Sequence, residues 1–393
     1  MDDSIKKTHS QRVEAVQTPI IPTITQLARE HPGTISLGQG VAYYGPPQQA
    51  YDEIQKQLTQ PKLNAYGPVE GIPELTEVLA NKLQSRNSID INQYNKVFVT
   101  AGSNMAFSSL MMAIADPGDE IILLTPYYFN HEMAIRLADA TPVLVPTQEN
   151  YHPDIEHITK AITHKTRAIV TVSPNNPTGA VYTEEELTLI NQLCAQHGIY
   201  HISDEAYEDF LYEDRTHFSP ASLNNAEAHT ISLYSLSKAY GFAGWRVGYM
   251  VIPSILFASL RKVQDTVLIS PTIISQYAAI GAHRAPYSYI ENNLDEIKQS
   301  RQACLTLINQ TNLLDRPAIS EGAFYLFIKL NTSKNDFSIA KQLIEKYRVA
   351  TIPGSAFAAE NGAYLRISYG ALTSATVSQG IEKLITGLQT LLN

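Results

Sequence analysis

The sequence predicts an α/β fold in which a mostly parallel sheet is covered by helices on both faces. Between residues 97 and 253, short runs rich in Val, Ile, Leu and Tyr alternate with helical patterns. These runs are apolar nearly throughout, which is typical of parallel strands buried on both faces. After residue 285 the pattern changes to longer helical segments with a few short strand-like runs. This change indicates a second, smaller α+β domain.

Seven runs are candidate strands of the larger domain: 97–100, 120–124, 142–146, 167–173, 200–203, 231–235 and 247–252. Amphipathic stretches separate them, and in 184–198 the residues Leu187, Ile190 and Cys194 recur at helical spacing. The expected connection of each strand to the next is therefore a helix, and the sheet is of the doubly wound type.

The last third of the chain is expected to form the smaller domain. Its predicted elements are a helix over 291–311, a strand over 321–330, a helix over 338–347, short strands near 349–352 and 364–369, and a closing helix. A chain of 393 residues exceeds what one hydrophobic core usually supports. We expect an N-terminal segment, 1–45, that packs on the smaller domain, a large domain, 46–285, and a small domain, 286–393.

Composition excludes several classes of protein. Apolar residues make up 44% of the chain, too many for a disordered polymer. The net charge of −9 argues against a broad nucleic-acid interface, which needs a basic face. Cys194 and Cys304 are too few for a disulfide framework or a zinc cluster, and both are expected to be buried. The chain contains no signal-peptide core and no run of 18 apolar residues, so we expect a cytoplasmic protein.

Four segments that follow predicted strands could carry chemistry. TAGSNMAF (100–107) places small residues where a helix begins, and backbone N–H groups at such a junction favour an anion. SPNNPTG (173–179) would project Asn176 from the carboxyl end of a strand, where α/β sheets bind ligands. Each also has a structural alternative, a glycine turn in the first segment and a tight loop in the second. The GxGxxG and P-loop patterns of nucleotide-binding proteins are not found in the sequence.

The other two segments contain ionisable residues. In SDEAYEDF (203–210), Asp204 is either a cap or a buried carboxylate that faces a cationic ring nitrogen. In SLSKAYGFAGWRVGY (235–249), Lys238 lies beside serines and eight residues before Arg246, a side chain suited to a phosphate. Lys238 is either a solvated surface residue or an enclosed amine that can form a Schiff base.

Taken together, these segments resemble the class I/II aminotransferases, the fold-type-I enzymes that use pyridoxal 5′-phosphate. YGPVEGIPELTEVLA (66–80), GAFYLFIKL (322–330) and YLRISYG (364–370) also resemble family segments, so that the likeness extends over about residues 35–370. The resemblance implies a large domain with a seven-stranded, mainly parallel sheet, a small domain built from both chain ends, and transaminase activity.

The resemblance also assigns roles to residues at the cofactor. Lys238 would hold pyridoxal phosphate as an internal aldimine and later move the substrate proton. Asp204 would keep the pyridine nitrogen protonated, and Tyr207, with Asn176, would hydrogen-bond the phenolic oxygen of the ring. Tyr128 would stack on the ring face. The residues that would hold the cofactor phosphate are Gly102, Ser103, Asn104, Ser235, Ser237 and Arg246, joined by Tyr66 from the neighbouring subunit of a homodimer with shared active sites.

Substrate recognition follows from the same resemblance. Arg366 would clamp the substrate α-carboxylate, the Gly40 backbone N–H would assist, and Asn176 would also face the substrate. In the loop GVAYYGPP (40–47), Tyr43 and Tyr44 occupy positions that face the substrate side chain in the family, so that we expect Tyr43 to bind substrate.

No Lys or Arg lies between His31 and Gln55, which favours an amino donor with an aromatic or other uncharged side chain. The acceptor is expected to be 2-oxoglutarate or another 2-oxo acid. The alternative for Tyr43 and Tyr44 is packing against the small domain.

Other functions remain open at this point. A pyridoxal-phosphate-dependent β-lyase or an enzyme like aminocyclopropanecarboxylate synthase would use the same residues. A pyridoxal-phosphate-binding regulator of transcription would carry the same domain behind a helix-turn-helix module, for which the roughly 35 residues before the first family segment are too few. We expect no partner nucleic acid, no membrane association and no metal.

Overall fold

The structure of the protein is a computed structural model that describes residues 9–392. Its strands are β1 (Ile35–Ser36), β2 (Asn95–Thr100), β3 (Glu120–Thr125), β4 (Thr141–Pro146), β5 (Thr166–Val172), β6 (Tyr200–Asp204), β7 (Thr230–Ser235), β8 (Gly248–Pro253), β9 (Tyr325–Leu330), β10 (Val349–Ala350), β11 (Ile352–Pro353) and β12 (Ala363–Ser368). Its α-helices are α1 (Gln11–Glu14), α2 (Ile20–Glu30), α3 (Gln48–Gln57), α4 (Pro73–Asn87), α5 (Ser103–Ile114), α6 (Phe129–Leu137), α7 (Ile155–Ala161), α8 (Glu184–His197), α9 (Leu236–Ala239), α10 (Phe257–Val267), α11 (Ile273–Arg284), α12 (Ser288–Asn309), α13 (Asp336–Tyr347) and α14 (Ser374–Leu392).

A seven-stranded sheet organises the larger part of the molecule, in the order β2-β8-β7-β6-β5-β3-β4. All neighbouring pairs are parallel except those of β8, which runs antiparallel to β2 and to β7. The predicted α/β fold and mainly parallel sheet are therefore confirmed. Each of the seven predicted runs coincides with one of the strands β2 to β8.

Both faces of this sheet are buried, which explains why its strands are apolar nearly throughout. Along β8, Tyr249 and Val251 pack into the core on one face, whereas Met250 and Ile252 pack into the core on the other. The buried surface of such side chains stabilises the fold by roughly 25 cal/mol per Å² of apolar area removed from water.

Helix α8 shows how local sequence sets the bounds of an element. Thr183 accepts a hydrogen bond from the Glu186 backbone N–H, and the Glu186 carboxylate accepts one from the Thr183 N–H, forming a capping box. Gly198, with φ 65°, ends the helix in the left-handed conformation that glycine adopts readily. The carboxyl ends of β5 and β6 then lie side by side, with Val172 paired to Asp204.

A second sheet of three antiparallel strands has the order β11-β12-β9. Strand β1, near the N-terminus, pairs in parallel with β10, so the N-terminal part of the chain adds to the structure formed by the last third. The boundaries at residues 45 and 285 stay a prediction. Cys194 and Cys304 are free and buried, as predicted. Within residues 9–392, none of the helices combines the length and the apolar character that crossing a membrane requires.

Candidate active site

The carboxyl ends of strands β5, β6 and β7 and the start of helix α5 enclose a cavity. Its lining residues are Ser103, Asn104, Tyr128, Val172, Asn176, Asp204, Ala206, Tyr207, Ser235, Ser237, Lys238 and Arg246. Nearly all of the residues predicted to bind a cofactor are thus brought to one place. The parallel register explains this, because it aligns the ends of neighbouring strands at one edge of the sheet.

Lys238 is the amine of this cavity. It lies in the short helix α9 directly after β7, and its Nζ donates a hydrogen bond to the Gly40 carbonyl at 2.5 Å. Burial, together with the positive charges of Arg366 and Arg246, lowers the pKa of Lys238 to about 8, and the Asp204 carboxylate partly opposes this shift. An amine with such a pKa is partly neutral near pH 7 and can act as a nucleophile or a base.

Asp204, the last residue of β6, supplies the carboxylate of the cavity and is 5% exposed. Its Oδ2 lies 3.1 Å from Nε2 of His131, and its Oδ1 accepts a hydrogen bond from the Ala206 N–H at 3.1 Å. The His131 ring stacks on Phe107, with 4.1 Å between ring centroids. Asp204 is therefore held in one orientation at the wall of the cavity.

Two buried polar side chains line the wall next to Asp204. Asn176 Nδ2 lies 3.5 Å from the Tyr207 hydroxyl oxygen, and that oxygen lies 2.6 Å from the hydroxyl of Tyr325. Burial raises the pKa of Tyr207 well above its ordinary value, and the neighbouring Tyr325 raises it further, so this phenol keeps its proton. Hydrogen-bond donors at this wall would suit a ligand oxygen that carries negative charge.

Arg366 is a buried guanidinium, 2% exposed, in strand β12. Its Nη1 donates to Asn176 Oδ1 at 2.9 Å and its Nη2 donates to the Gly38 carbonyl at 2.8 Å. Within the described part of the chain, no carboxylate forms a salt bridge with Arg366, and its Nε is buried without a partner. A buried charge without a counter-ion is costly, so the geometry favours an incoming carboxylate, which can take a bidentate pair.

An anion cradle lies at the other end of the cavity. Helix α5 begins at Ser103 after Gly102, whose φ is 85°, and Ser235 caps α9 by accepting from the Ser237 N–H at 3.2 Å. Arg246 Nη2 lies close to Gly102, and a Cβ added to Gly102 would be 2.3 Å from this nitrogen. Among residues 9–392, no carboxylate pairs with the Arg246 guanidinium. This guanidinium and the starts of α5 and α9 together form a site suited to a phosphate.

Tyr128, at the start of α6, closes one side of the cavity. Its hydroxyl accepts a hydrogen bond from Asn130 Nδ2 at 2.8 Å, and its ring packs edge-on against His131 at 5.2 Å. Burial raises the pKa of the phenol. The Tyr128 ring borders the cavity, and its stacking on the face of a ligand ring stays a prediction.

Three predicted residues stand apart from this arrangement. Tyr66 lies on the surface, 82% exposed. Tyr43 is not among the residues that line the cavity: its hydroxyl donates to Asn293 Oδ1 at 3.3 Å on α12, which is the packing contact that the sequence offered as the alternative. Tyr44 donates to the Ala239 carbonyl at 3.2 Å. The Gly40 carbonyl accepts from Lys238, and a role for its N–H stays a prediction.

Neither His131 nor Tyr325 stands out as a site residue in the sequence patterns. His131 lies three residues after Tyr128 at the start of a helix, a spacing that places both side chains on one face and that could have indicated it. Tyr325 is brought to Tyr207 by contacts between residues 118 positions apart, and no local pattern reports such a contact.

The fold and the cavity together are those of a fold-type-I transaminase, with a lysine at the carboxyl edge of the large sheet and one anion site on either side of it. Comparison with known proteins places the chain within this class. The sequence profile of the family "Aminotransferase class I and II" matches residues 32–384. The chain belongs to the class I and II aminotransferases.

Relatives agree in length and in fold. The chain is 32% identical to the aromatic aminotransferase ISS1 of Arabidopsis thaliana, over 98% of this chain and 97% of that protein. It is also 32% identical to the aspartate/prephenate aminotransferase of Thermus thermophilus, over 95% and 96% of the two chains. A solved structure of Thermus thermophilus aspartate aminotransferase, a single mutant, superposes with a TM-score of 0.89 at 31% identity, covering 97% of this chain and all of that one.

Proposed function

We propose that the chain binds pyridoxal 5′-phosphate in this cavity and moves the amino group of an L-amino acid with an aromatic or other uncharged side chain to a 2-oxo acid. One observation carries the proposal: the enclosed amine of Lys238, with a pKa of about 8, lies in the same cavity as the Asp204 carboxylate. The donor set fits the cofactor, because the cradle at Gly102 and Arg246 suits its phosphate.

When bound, pyridoxal phosphate accepts the amino group and withdraws electrons from the substrate Cα. The protein's side chains supply the rest. Asp204, held by His131, would keep a proton on the ring nitrogen, while Tyr207 and Asn176 would donate to the phenolic oxygen. Lys238 Nζ, once free, would take the proton from the substrate Cα.

Arg366 would orient both substrates by their α-carboxylates. A bidentate pair fixes the carboxylate in the guanidinium plane, and so determines which way the Cα–H bond points. Because donor and acceptor use one pocket in turn, the pocket must accommodate the side chains of both.

The donor preference rests on charge. The cationic side chains among the described cavity-lining residues are Lys238 and Arg246, and both are engaged by the cofactor in the proposed role. Arg366, which is not among those lining residues, would be engaged by the α-carboxylate, so none of the three is left to bind a distal carboxylate. Relatives carry names of both kinds, aromatic and aspartate/prephenate aminotransferases. We infer a preference for phenylalanine, tyrosine, methionine or glutamine, with 2-oxoglutarate or another 2-oxo acid as acceptor.

A kinetic panel tests the preference. The protein reconstituted with pyridoxal phosphate is mixed with each of the twenty amino acids, and the loss of the visible cofactor band is followed. We expect phenylalanine to give a higher kcat/KM than aspartate. A tenfold excess of aspartate over phenylalanine would overturn the preference, and an unchanged turnover in Lys238→Ala would overturn the assignment of the amine.

We further propose a cytoplasmic homodimer in which each subunit contributes to both active sites. The exposed ring of Tyr66 supports this, since it is free to reach the cofactor phosphate of a partner. Two free, buried cysteines fit a reducing compartment. Sedimentation should give twice the chain mass of 43.5 kDa. Tyr66→Phe should weaken cofactor binding while Tyr94→Phe, at another exposed tyrosine, should not. A monomer with full activity would refute the shared sites.

A further inference from the structure

Tyr325 lies one layer behind the cavity wall. It begins strand β9, is fully buried, and does not line the cavity, unlike Tyr207, which it contacts. The two hydroxyl oxygens are 2.6 Å apart. Among the described residues, Tyr207 is the only hydrogen-bond partner of the Tyr325 hydroxyl.

This pairing sets the direction of the hydrogen bonds. Burial raises the pKa of both phenols, that of Tyr325 to about 12, so both carry a proton at neutral pH. The distance alone allows either oxygen to donate. The Tyr325 proton has no other acceptor among the described residues, whereas Tyr207 also borders the cavity, so both protons find acceptors only if Tyr325 donates to Tyr207. Asn176 Nδ2 approaches the same Tyr207 oxygen at 3.5 Å. With its lone pairs engaged by these two donors, Tyr207 is left to donate its own proton into the cavity. A hydroxyl that accepts a hydrogen bond also becomes a better donor.

The ring of Tyr325 has a second contact, with Arg366. In the register of β9 and β12, Arg366 lies opposite Phe327, which makes Tyr325 its diagonal neighbour on the same face of the sheet. The guanidinium carbon lies 4.6 Å from the centroid of the Tyr325 ring. Arg366 also donates to Asn176, so that four side chains form a closed circuit from Arg366 through Asn176, Tyr207 and Tyr325.

We propose that Tyr325 is a positioning residue for the reaction: its hydroxyl directs the Tyr207 proton at the phenolic oxygen of the cofactor, and its ring holds the Arg366 guanidinium in plane for the substrate carboxylate. This inference rests on the proposed function. It assigns the two tasks to different parts of one side chain, which makes them separable by substitution.

The hydroxyl is tested by the pH midpoint of the visible absorption band of the cofactor in the reconstituted protein. Donation to the phenolic oxygen lowers this midpoint, so Tyr325→Phe should raise it, by about half to one pH unit, the scale of one hydrogen bond. Tyr207→Phe should raise it more. Because Tyr325 acts through Tyr207, the double variant should have the midpoint of Tyr207→Phe alone.

Tyr369→Phe is the matched control. It removes another fully buried phenol hydroxyl, which bonds to Ser320 at 2.9 Å and lies outside the cavity lining, so its midpoint should equal that of the unaltered protein. Should Tyr325→Phe not fold, replacement of Tyr325 by 3-fluorotyrosine keeps the hydroxyl and makes it a stronger donor, and the midpoint should then fall.

The ring is tested by substrate binding. Tyr325→Phe keeps the ring beneath Arg366 and should leave the KM of the amino acid within about twofold, whereas Tyr325→Leu should raise it by about tenfold. A midpoint that does not move in Tyr325→Phe, or that moves equally in the Tyr207→Phe background, would overturn the role of the hydroxyl. Equal KM values in the two variants would overturn the role of the ring. If the unaltered protein with pyridoxal phosphate shows no visible band, it is the proposed function that fails instead.

Discussion

At the scale of single residues, the chemistry depends on the protonation of Lys238. Its pKa of about 8 means that the neutral fraction of the amine grows as pH rises through 8 and is nearly complete above pH 9. The rate at which the cofactor-free protein takes up pyridoxal phosphate should therefore rise with pH and level off above 9. Stopped-flow recording of the visible band from pH 6 to 10 measures this.

If the rate of cofactor uptake rose with a midpoint near pH 10.5, the ordinary pKa of lysine, the buried environment described for Lys238 would be wrong. Arg366→Gln provides a check on the cause, because removing that positive charge should move the midpoint upward.

The second prediction for a single residue concerns substrate binding by the Arg366 guanidinium. Arg366→Lys keeps the charge but loses the fork that binds a carboxylate in two places. We expect the KM of both amino acid and oxo acid to rise by about 10- to 100-fold, the range for a hydrogen bond to a charged group, with the cofactor spectrum unchanged. Arg301→Lys, at a fork with Glu213 on the surface, should leave KM unchanged. Loss of the cofactor from Arg366→Lys would mean that Arg366 holds the phosphate instead.

At the scale of elements, the start of helix α5 is the part of the fold that binds the phosphate. Gly102→Ala would place a Cβ 2.3 Å from Arg246 Nη2 and push that side chain out of the cradle. The dissociation constant for pyridoxal phosphate should rise by about tenfold or more. Titration of the cofactor-free protein, followed by absorbance, gives the constant.

Gly118→Ala is the matched control, because Gly118 has a φ of 89°, close to the 85° of Gly102, with open space around it. Backbone strain should cost each variant about 1–3 kcal/mol of stability, since Gly102, with φ 85° and ψ 164°, lies in a region almost restricted to glycine. Equal cofactor binding by the two would show that Gly102 matters only for its backbone conformation.

The elements also show what can be predicted from sequence and what cannot. Strands β2 to β8 were predictable because burial on both faces makes each a continuous apolar run, and helix α8 because Thr183 and Gly198 mark its ends. Lys238 and Asp204 were predictable because their segments resemble a known family. The contact of Tyr325 with Tyr207 and the orientation of Tyr43 toward Asn293 were not, since each depends on the packing of distant segments.

At the scale of the whole molecule, His152 joins parts of the chain that are far apart in sequence. Its Nδ1 lies 2.9 Å from Glu186 at the start of α8, and its Nε2 lies 3.2 Å from Glu321, shortly before β9. Hydrogen bonds to Glu186 and then Glu321 raise the pKa of His152 to about 9, against the effect of burial. The contribution of these His152 contacts to the stability of the fold is therefore complete below about pH 6.5 and is lost as pH rises through 9.

His152→Gln should lower the melting temperature at pH 6 by about 1–2 °C, as expected for a loss of about 1 kcal/mol in a chain of 393 residues, and by much less at pH 10. His157→Gln, which breaks an exposed pair with Asp154, should change the melting temperature little at either pH. A difference that persists undiminished at pH 10 would show that His152 stabilises by packing rather than by charge. Differential scanning calorimetry at the two pH values decides this.

Following the nitrogen shows whether this cavity transfers an amino group between two carbon skeletons. The reconstituted protein is given ¹⁵N-labelled phenylalanine and 2-oxoglutarate, and the products are analysed by mass spectrometry. We expect ¹⁵N-labelled glutamate and phenylpyruvate in equal amounts, and neither with Lys238→Ala. Release of the label as free ammonium, as a lyase would give, or labelled glutamate from Lys238→Ala, would rule out transamination at Lys238.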